Sequence, residues 1–229
     1  GFIGCGTGQK QPMTVTNGEV FASGTQAIYG IWDANMAAWN ATSTDTKYAQ
    51  LAQTPNNSTP IAIALTKLQT QTITESGTTR TATNVAVCWV GMTGCATSTT
   101  PATVTSAMGW VMSLPTSTEQ VIYNPLISSG VYFVNTTIPA TSSTITCQAT
   151  DVSGWTMGLA LANGGAGTVT AFDGGYSGYS LNGAGTPAIY GGGNSTFLGT
   201  NTNDHHTFKA KKTNPQPGVG ARLTWTKMR

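Results

Sequence analysis

The chain has 229 residues, a formal net charge of +2 and only 8% charged residues, against about 25% in an average globular domain. Thr, Ser, Asn and Gly fill the gap, so the surface is polar but uncharged, and this excludes a nucleic-acid footprint, which needs dense Lys/Arg with stacking aromatics. There is also no run of 18 apolar residues, so no segment can cross a membrane as a helix.

Taken in chain order, the hydrophobic period is mostly two, which predicts strands. Strands are predicted at residues 2–5 and 27–32. Residues 34–39, with Asp33 as a cap, and residues 48–52 are Ala-rich and each predict a turn of helix; 42–47 and 54–60 read as loops. Strands resume at 72–75, 80–84, 86–90 and 110–113. The segment EQVIYNPLISSGVYFVNTTIP, residues 119–139, reads as a hairpin: the run at Val121–Tyr123, Leu126 and Ile127 after Pro125, a Ser128-Ser129-Gly130 turn, then a return through residues 131–134. Pro125 lacks an N–H and marks a strand edge or bulge. Further strands are predicted at 155–160, 168–171, 207–211 and 222–227, and the Gly-dense stretch 174–193 reads as a loop. Lys209, Lys211 and Lys212, the one basic cluster, read as a solvated strand or loop. Many short strands suggest a sandwich, a barrel or propeller blades. The blade reading gains from IYGIWDANMAAW and GWTMGLALANGGAG, two Trp-bearing strands that each run into a turn, a weak internal repeat.

The four cysteines are Cys5, Cys88, Cys95 and Cys147. Their even number and the lysine-poor surface point to an extracytoplasmic protein with two disulfides. Cys88 and Cys95 suit a Gly-rich hairpin, leaving Cys5 with Cys147; four free buried thiols are the alternative. No CxxC or HxxxH spacing marks a zinc site.

Catalytic signals are poor. The acids Glu19, Asp33, Asp45, Glu75, Glu119, Asp151, Asp173 and Asp204 are dispersed. His205 and His206 follow Asp204 and read as a solvated loop, since neighbours on a strand face opposite ways and cannot share one ion. No GxSxG, HExxH or P-loop occurs. GCGTGQ and GGYSGYSLNG lack a following βαβ unit, so they are not nucleotide loops. Trp32, Trp39, Trp89, Trp110, Trp155 and Trp225 read as core or sheet-docking residues. Sequons at Asn40, Asn57, Asn135 and Asn194 are expected by chance in Thr-rich sequence.

Five stretches occur together in order: GTGQ (6–9), QAIYGIWD (26–33), GWVMSLP (109–115), the 119–139 segment, and Cys147 followed by GWTMGLALANGG (154–165). They resemble the C-terminal β-propeller of the PilC/PilY type IV pilus biogenesis and tip-adhesin family, whose closing strand RLTWTKM also resembles. The resemblance implies an all-β fold, part of a β-propeller with quinoprotein-like blades and long polar loops, with residues 1–229 forming the C-terminal portion of a longer pilus-associated protein. It implies a non-catalytic role in pilus biogenesis and surface attachment, outside the cell at the pilus tip or outer membrane. The implied partners are pilin or minor pilins and a host or abiotic surface receptor; nucleic acid and a membrane span are not expected. Many relatives carry an Asp/Asn-rich calcium loop where this chain reads TAFDGGYSGYSLNG. Calcium wants six to eight oxygens, and only Asp173 and Asn182 with nearby hydroxyls remain here, so no cofactor is expected and calcium is a minor possibility. A fibre-forming or surface-layer β module and a quinoprotein-like dehydrogenase fragment are the rival readings.

Overall fold

The computed structural model describes residues 2–11, 20–32, 65–87, 108–140, 152–192, 195–202 and 207–214. Among them the chain is all-β, with one 3-10 turn at Leu65–Lys67 and no α-helix. The strands are β1 (Phe2–Gly6), β2 (Lys10–Gln11), β3 (Val20–Phe21), β4 (Ala27–Trp32), β5 (Leu68–Gln71), β6 (Ile73–Ser76), β7 (Thr79–Ala82), β8 (Gly109–Ser113), β9 (Leu126–Ser128), β10 (Val131–Asn135), β11 (Thr156–Ala160), β12 (Gly178–Tyr179), β13 (Gly183–Gly192), β14 (Ser195–Thr202) and β15 (Phe208–Thr213).

They form three stacked sheets and a small ribbon. The first sheet has the order β1-β4-β8-β5, with β5 parallel to β8 and the other pairs antiparallel. The middle sheet runs β6-β7-β12-β11-β10-β9 and is antiparallel throughout. The third is β13-β14-β15, and β2 pairs with β3 alone. Tyr132 and Val134 of β10 pack with Ile28, Trp110 and Met112 of the first sheet, together with Met157 and Leu159 of β11. Val131 and Phe133, on the other face of β10, pack with Phe172 and with Leu198 of β14. All five residues of β10 are therefore buried, and VYFV reads as an unbroken apolar run because both faces are covered.

The β9–β10 hairpin forms as expected. Ser129 and Gly130 have φ of 52° and 75°, the left-handed pair that a two-residue type I′ turn requires. The run at Val121–Tyr123 forms no strand; only Gln120 bridges, to Thr137. Residues 168–171 and 86–87 are likewise not strands. The reverse error falls at 174–193, expected as a loop: it contains β12 and the whole of β13, the longest strand among the described residues. Its glycines let neighbouring groups close in rather than breaking the ladder. A Cβ on Gly183 would lie 2.5 Å from the Asn135 Oδ1. The expected helical turns at 34–39 and 48–52, the loops at 42–47 and 54–60, and the strand at 222–227 lie outside the described residues.

Two arrangements tie other parts of the chain to the middle sheet, one fastening the β8–β9 connection and one the first sheet. Arg80 on β7 is fully buried and forks onto Glu119, also fully buried, through Nη1–Oε1 at 2.6 Å and Nη2–Oε2 at 2.8 Å. Its Nε and Nη2 also donate to Glu75 Oε2, at 3.1 and 2.8 Å. The guanidinium lies 4.0 Å from the Trp155 ring centroid. Thr136 Oγ1 donates to Glu119 Oε1 at 2.5 Å, so the buried carboxylate has partners on both oxygens. The second arrangement is a socket for the fully buried Trp110. Cβ atoms built on Gly30 and Gly164 would each lie 2.2 Å from its indole, while Nε1–H donates to the Leu161 carbonyl at 3.0 Å. Gly164 has φ +71°, so glycine is required there both by conformation and by space.

Two stability predictions follow from this geometry. Glu119→Gln leaves half-exposed Glu75 as the carboxylate partner of the buried Arg80 and is expected to lower unfolding free energy by up to about 3 kcal/mol in denaturant titration, whereas a paired Arg80→Met/Glu119→Leu change costs less. Gly30→Ala overpacks the Trp110 socket and is expected to cost about 1–3 kcal/mol, with a red-shifted tryptophan emission as the indole is pushed out.

Candidate binding site

A groove of about 380 Å³ lies between residues 4–10 and residues 121–125. One wall is β1 and the GTGQ stretch that overlaps its end, whose three glycines let Tyr132 and Val121 close against the backbone. The other is the Val121–Pro125 segment that sequence periodicity assigned to a strand. The walls are tied at Thr7, whose carbonyl accepts from the Val121 N–H at 2.9 Å. Gln120, fully buried, holds the same end: its Oε1 accepts from the Gln9 and Ala22 N–H groups at 2.8 and 3.2 Å, and its Nε2 donates to the Thr118 carbonyl at 3.2 Å. Close packing explains the glycines, since a Cβ on Gly6 would lie 2.5 Å from Val121 and one on Gly8 2.4 Å from its carbonyl oxygen.

Cys5 lines this groove with a free, exposed thiol, against the expected bridge to Cys147, which lies outside the described residues together with Cys88 and Cys95. β1 alternates half-buried and exposed positions, and Cys5 falls with Ile3 on the exposed side. Partial burial still raises its pKa above the ordinary thiol value, so little thiolate is present at neutral pH. Tyr132 is fully buried beneath Gly4, and its hydroxyl has no hydrogen-bond partner among the described residues. Burial, with a smaller contribution from Cys5, pushes the phenol well above its usual range.

The stretch expected to replace a calcium loop separates its two candidates. Asp173 takes the Gly174 N–H on Oδ1 at 3.0 Å and faces Lys212 Nζ from Oδ2 at 3.6 Å. Asn182, at φ 54°, accepts the Gly154 N–H at 3.2 Å and donates its own N–H to the Gly154 carbonyl. Asp173 thus serves its own turn and β15, and Asn182 serves the start of β11. Of the dispersed acids, Glu75 and Glu119 do converge, but on Arg80, where one carboxylate is buried and both accept hydrogen bonds from one guanidinium. This is an ion-pair core rather than a solvent-facing acid–base pair. Asp204, His205 and His206, the remaining acids, and Trp39, Trp89 and Trp225 lie outside the described residues. Asn135 is buried and bonded within the core, so its sequon is not a surface acceptor.

A second exposed feature lies on the outer face of the third sheet. Tyr190 and Phe197 stack with centroids 5.8 Å apart and planes 19° apart, and Phe208 joins Tyr190 at 5.9 Å. The rings cover Gly199, where a Cβ would lie 2.1 Å from Phe208. Lys211 reaches inward over the Tyr179 ring at 4.3 Å, so the basic cluster is split between the two faces of β15. The sequence signal for the groove was the spacing Gly4, Gly6, Gly8; for the aromatic face it was the alternation of Phe197 and Gly199 on β14, a strand that the sequence reading did not predict.

No protein-family model matches the sequence, and no curated protein matches it. Among solved structures, the crystal structure of the Pseudomonas aeruginosa PilY1 C-terminal domain matches with a TM-score of 0.57 at 18% identity, over 84% of this chain and 38% of that one. The chain therefore spans well under half the length of that domain, and the likeness is one of fold: an all-β arrangement of the PilY1 C-terminal type.

Proposed function

We propose that the chain is a binding module of a type IV pilus-associated protein, acting outside the cell in pilus biogenesis and surface attachment rather than in catalysis. The observation that carries this reading is the agreement of two independent lines, the ordered PilC/PilY-like motifs and the fold likeness to the PilY1 C-terminal domain. Stacked sheets with successive faces buried support a portion of a propeller, in which each sheet stands as a blade against the next. The neutral surface supports binding by many uncharged hydrogen bonds, which depend little on salt. Pilin or minor pilins and a surface receptor are the partners this reading assigns.

The test is deletion of the segment encoding this chain in its bacterium, followed by counts of surface pili and of attached cells. Fewer pili together with poorer attachment are expected. Normal pili and normal attachment would defeat the proposal, and a filament assembled from this chain alone would favour a fibre-forming module instead.

A further inference from the structure

The outer face of the third sheet carries aromatic surface that no core cluster uses. Tyr190 stands opposite Phe197 in the β13–β14 ladder, and Phe208 opposite Asn201 in the β14–β15 ladder. Phe197, Gly199 and Asn201 alternate along β14, so all these residues share one face. Tyr190 and Phe208 reach over Gly199 from opposite sides. A Cβ there would meet the Phe208 ring at 2.1 Å and the Tyr190 ring at 2.8 Å, and Gly199 is buried although it has no side chain. The rings thus lie across the sheet rather than standing up from it. Tyr190 nevertheless remains 44% exposed and Phe208 57%.

Area, charge and rim chemistry together limit what can occupy this face. The outward aromatic surface is roughly 200–300 Å². Each partner in a stable protein complex contributes about 800 Å², so a second copy or another globular protein is too large an occupant for the patch. Bare rings would suit a cation. Lys212, however, stands opposite Phe197 on the same face and repels one. Its ammonium already faces Asp173 Oδ2 at 3.6 Å, and it is the one charged residue of that face among the described residues, so an anion finds no unmet charge either. The rim is neutral and polar: the exposed Asn201 amide lies beside Phe208, and the Tyr190 ring ends in a hydroxyl.

A pyranose ring matches all three limits. Its axial C–H groups make an apolar face of about one aromatic ring's size, and their partial positive charge is drawn to the negative face of the ring. Its hydroxyls lie around the edge, where an amide and a phenol can meet them. We propose that this face binds a neutral polysaccharide, whose sugar rings lie on Phe208, Tyr190 and Phe197. The face is flat rather than concave, so one sugar is held weakly, and a polymer gains by engaging neighbouring rings at once. The inference rests on the chain being a binding module, and it gives that module a class of ligand.

The probes are cellohexaose, maltohexaose and mannohexaose, each titrated into the 229-residue chain while the ring resonances of Tyr190, Phe197 and Phe208 are followed by NMR. At least one hexamer is expected to shift those rings saturably, and its free monosaccharide to bind about tenfold more weakly. Phe208→Leu keeps an apolar cover over Gly199 but removes the ring. It is expected to weaken that hexamer about five- to tenfold with an unchanged melting temperature, and Phe208→Trp is expected to keep the binding. Raising the salt from about 0.05 to about 0.5 M is expected to change the affinity by less than about two-fold, because no charge is involved. If no hexamer shifts the three rings, the proposal is overturned. It is equally overturned by binding that Phe208→Leu leaves unchanged, or by self-association that Phe208→Leu abolishes, since a second copy would then be the occupant. A chain that fails these measurements and still supports pili and attachment loses the saccharide site and keeps the pilus reading.

Discussion

The buried fork between Arg80 and Glu119 organises what surrounds it. Two charges removed from water are expensive unless their remaining hydrogen-bonding groups are met, and here Glu75, Thr136 and the face of Trp155 complete the set. The position of Glu119 in the chain matters as much as the pairing. It begins a run of three residues that each tie down a different element. Glu119 fastens the β8–β9 connection to the middle sheet. Gln120, bridged to Thr137, reaches the backbone at Gln9 and Ala22. Val121 fills the space left by Gly6 and Gly8. A connection without strand structure of its own thereby becomes the fixed wall of the groove.

Elsewhere, neutral amides and hydroxyls do what charges do in more ordinary proteins. Gln71 is almost fully buried and uses its whole capacity: Nε2 donates to the carbonyls of Val85 and Asn163 at 2.6 and 2.8 Å, and Oε1 accepts from Thr83 Oγ1 and the Val85 N–H at 2.7 and 3.1 Å. Asn135 joins the middle and third sheets by donating to Gly185 and Thr200 and accepting from Thr156. Satisfied buried polar groups of this kind specify one arrangement of sheets, because any slip strands a donor or acceptor in an apolar interior. The low charge of the composition is therefore a property of the interior glue as well as of the surface.

Much of this was legible beforehand, for identifiable reasons. Residues 27–32 were expected as a strand and form one with those bounds, because alternation and β-branched residues agree there. The Ser129-Gly130 turn was legible because a Ser-Ser-Gly stretch separates two β-branched runs and Gly130 suits positive φ. Val121–Tyr123 misled because apolar runs signal burial as well as strand, and here the burial belongs to a connector. The glycine-rich β13 was missed because glycine weakens strand propensity, while the sheet uses it to admit Asn135 and the aromatic rings. Pairing between distant residues, such as Arg80 with Glu119 or Lys212 with Asp173, leaves no trace in local sequence. Beyond the Gly4, Gly6, Gly8 spacing the groove left no sign for the same reason, since its walls are more than a hundred positions apart.

The passage from β5 to β6 has a mechanical side. Only Thr72 separates Gln71, in the first sheet, from Ile73, in the middle one, and Gln71 is clamped from all four of its amide positions. Tension carried along the chain at this point runs parallel to the β5–β8 ladder, so its hydrogen bonds share the pull and must rupture together rather than unzip singly. A crossing so short stores almost no slack, and it makes the two layers yield as one body under load.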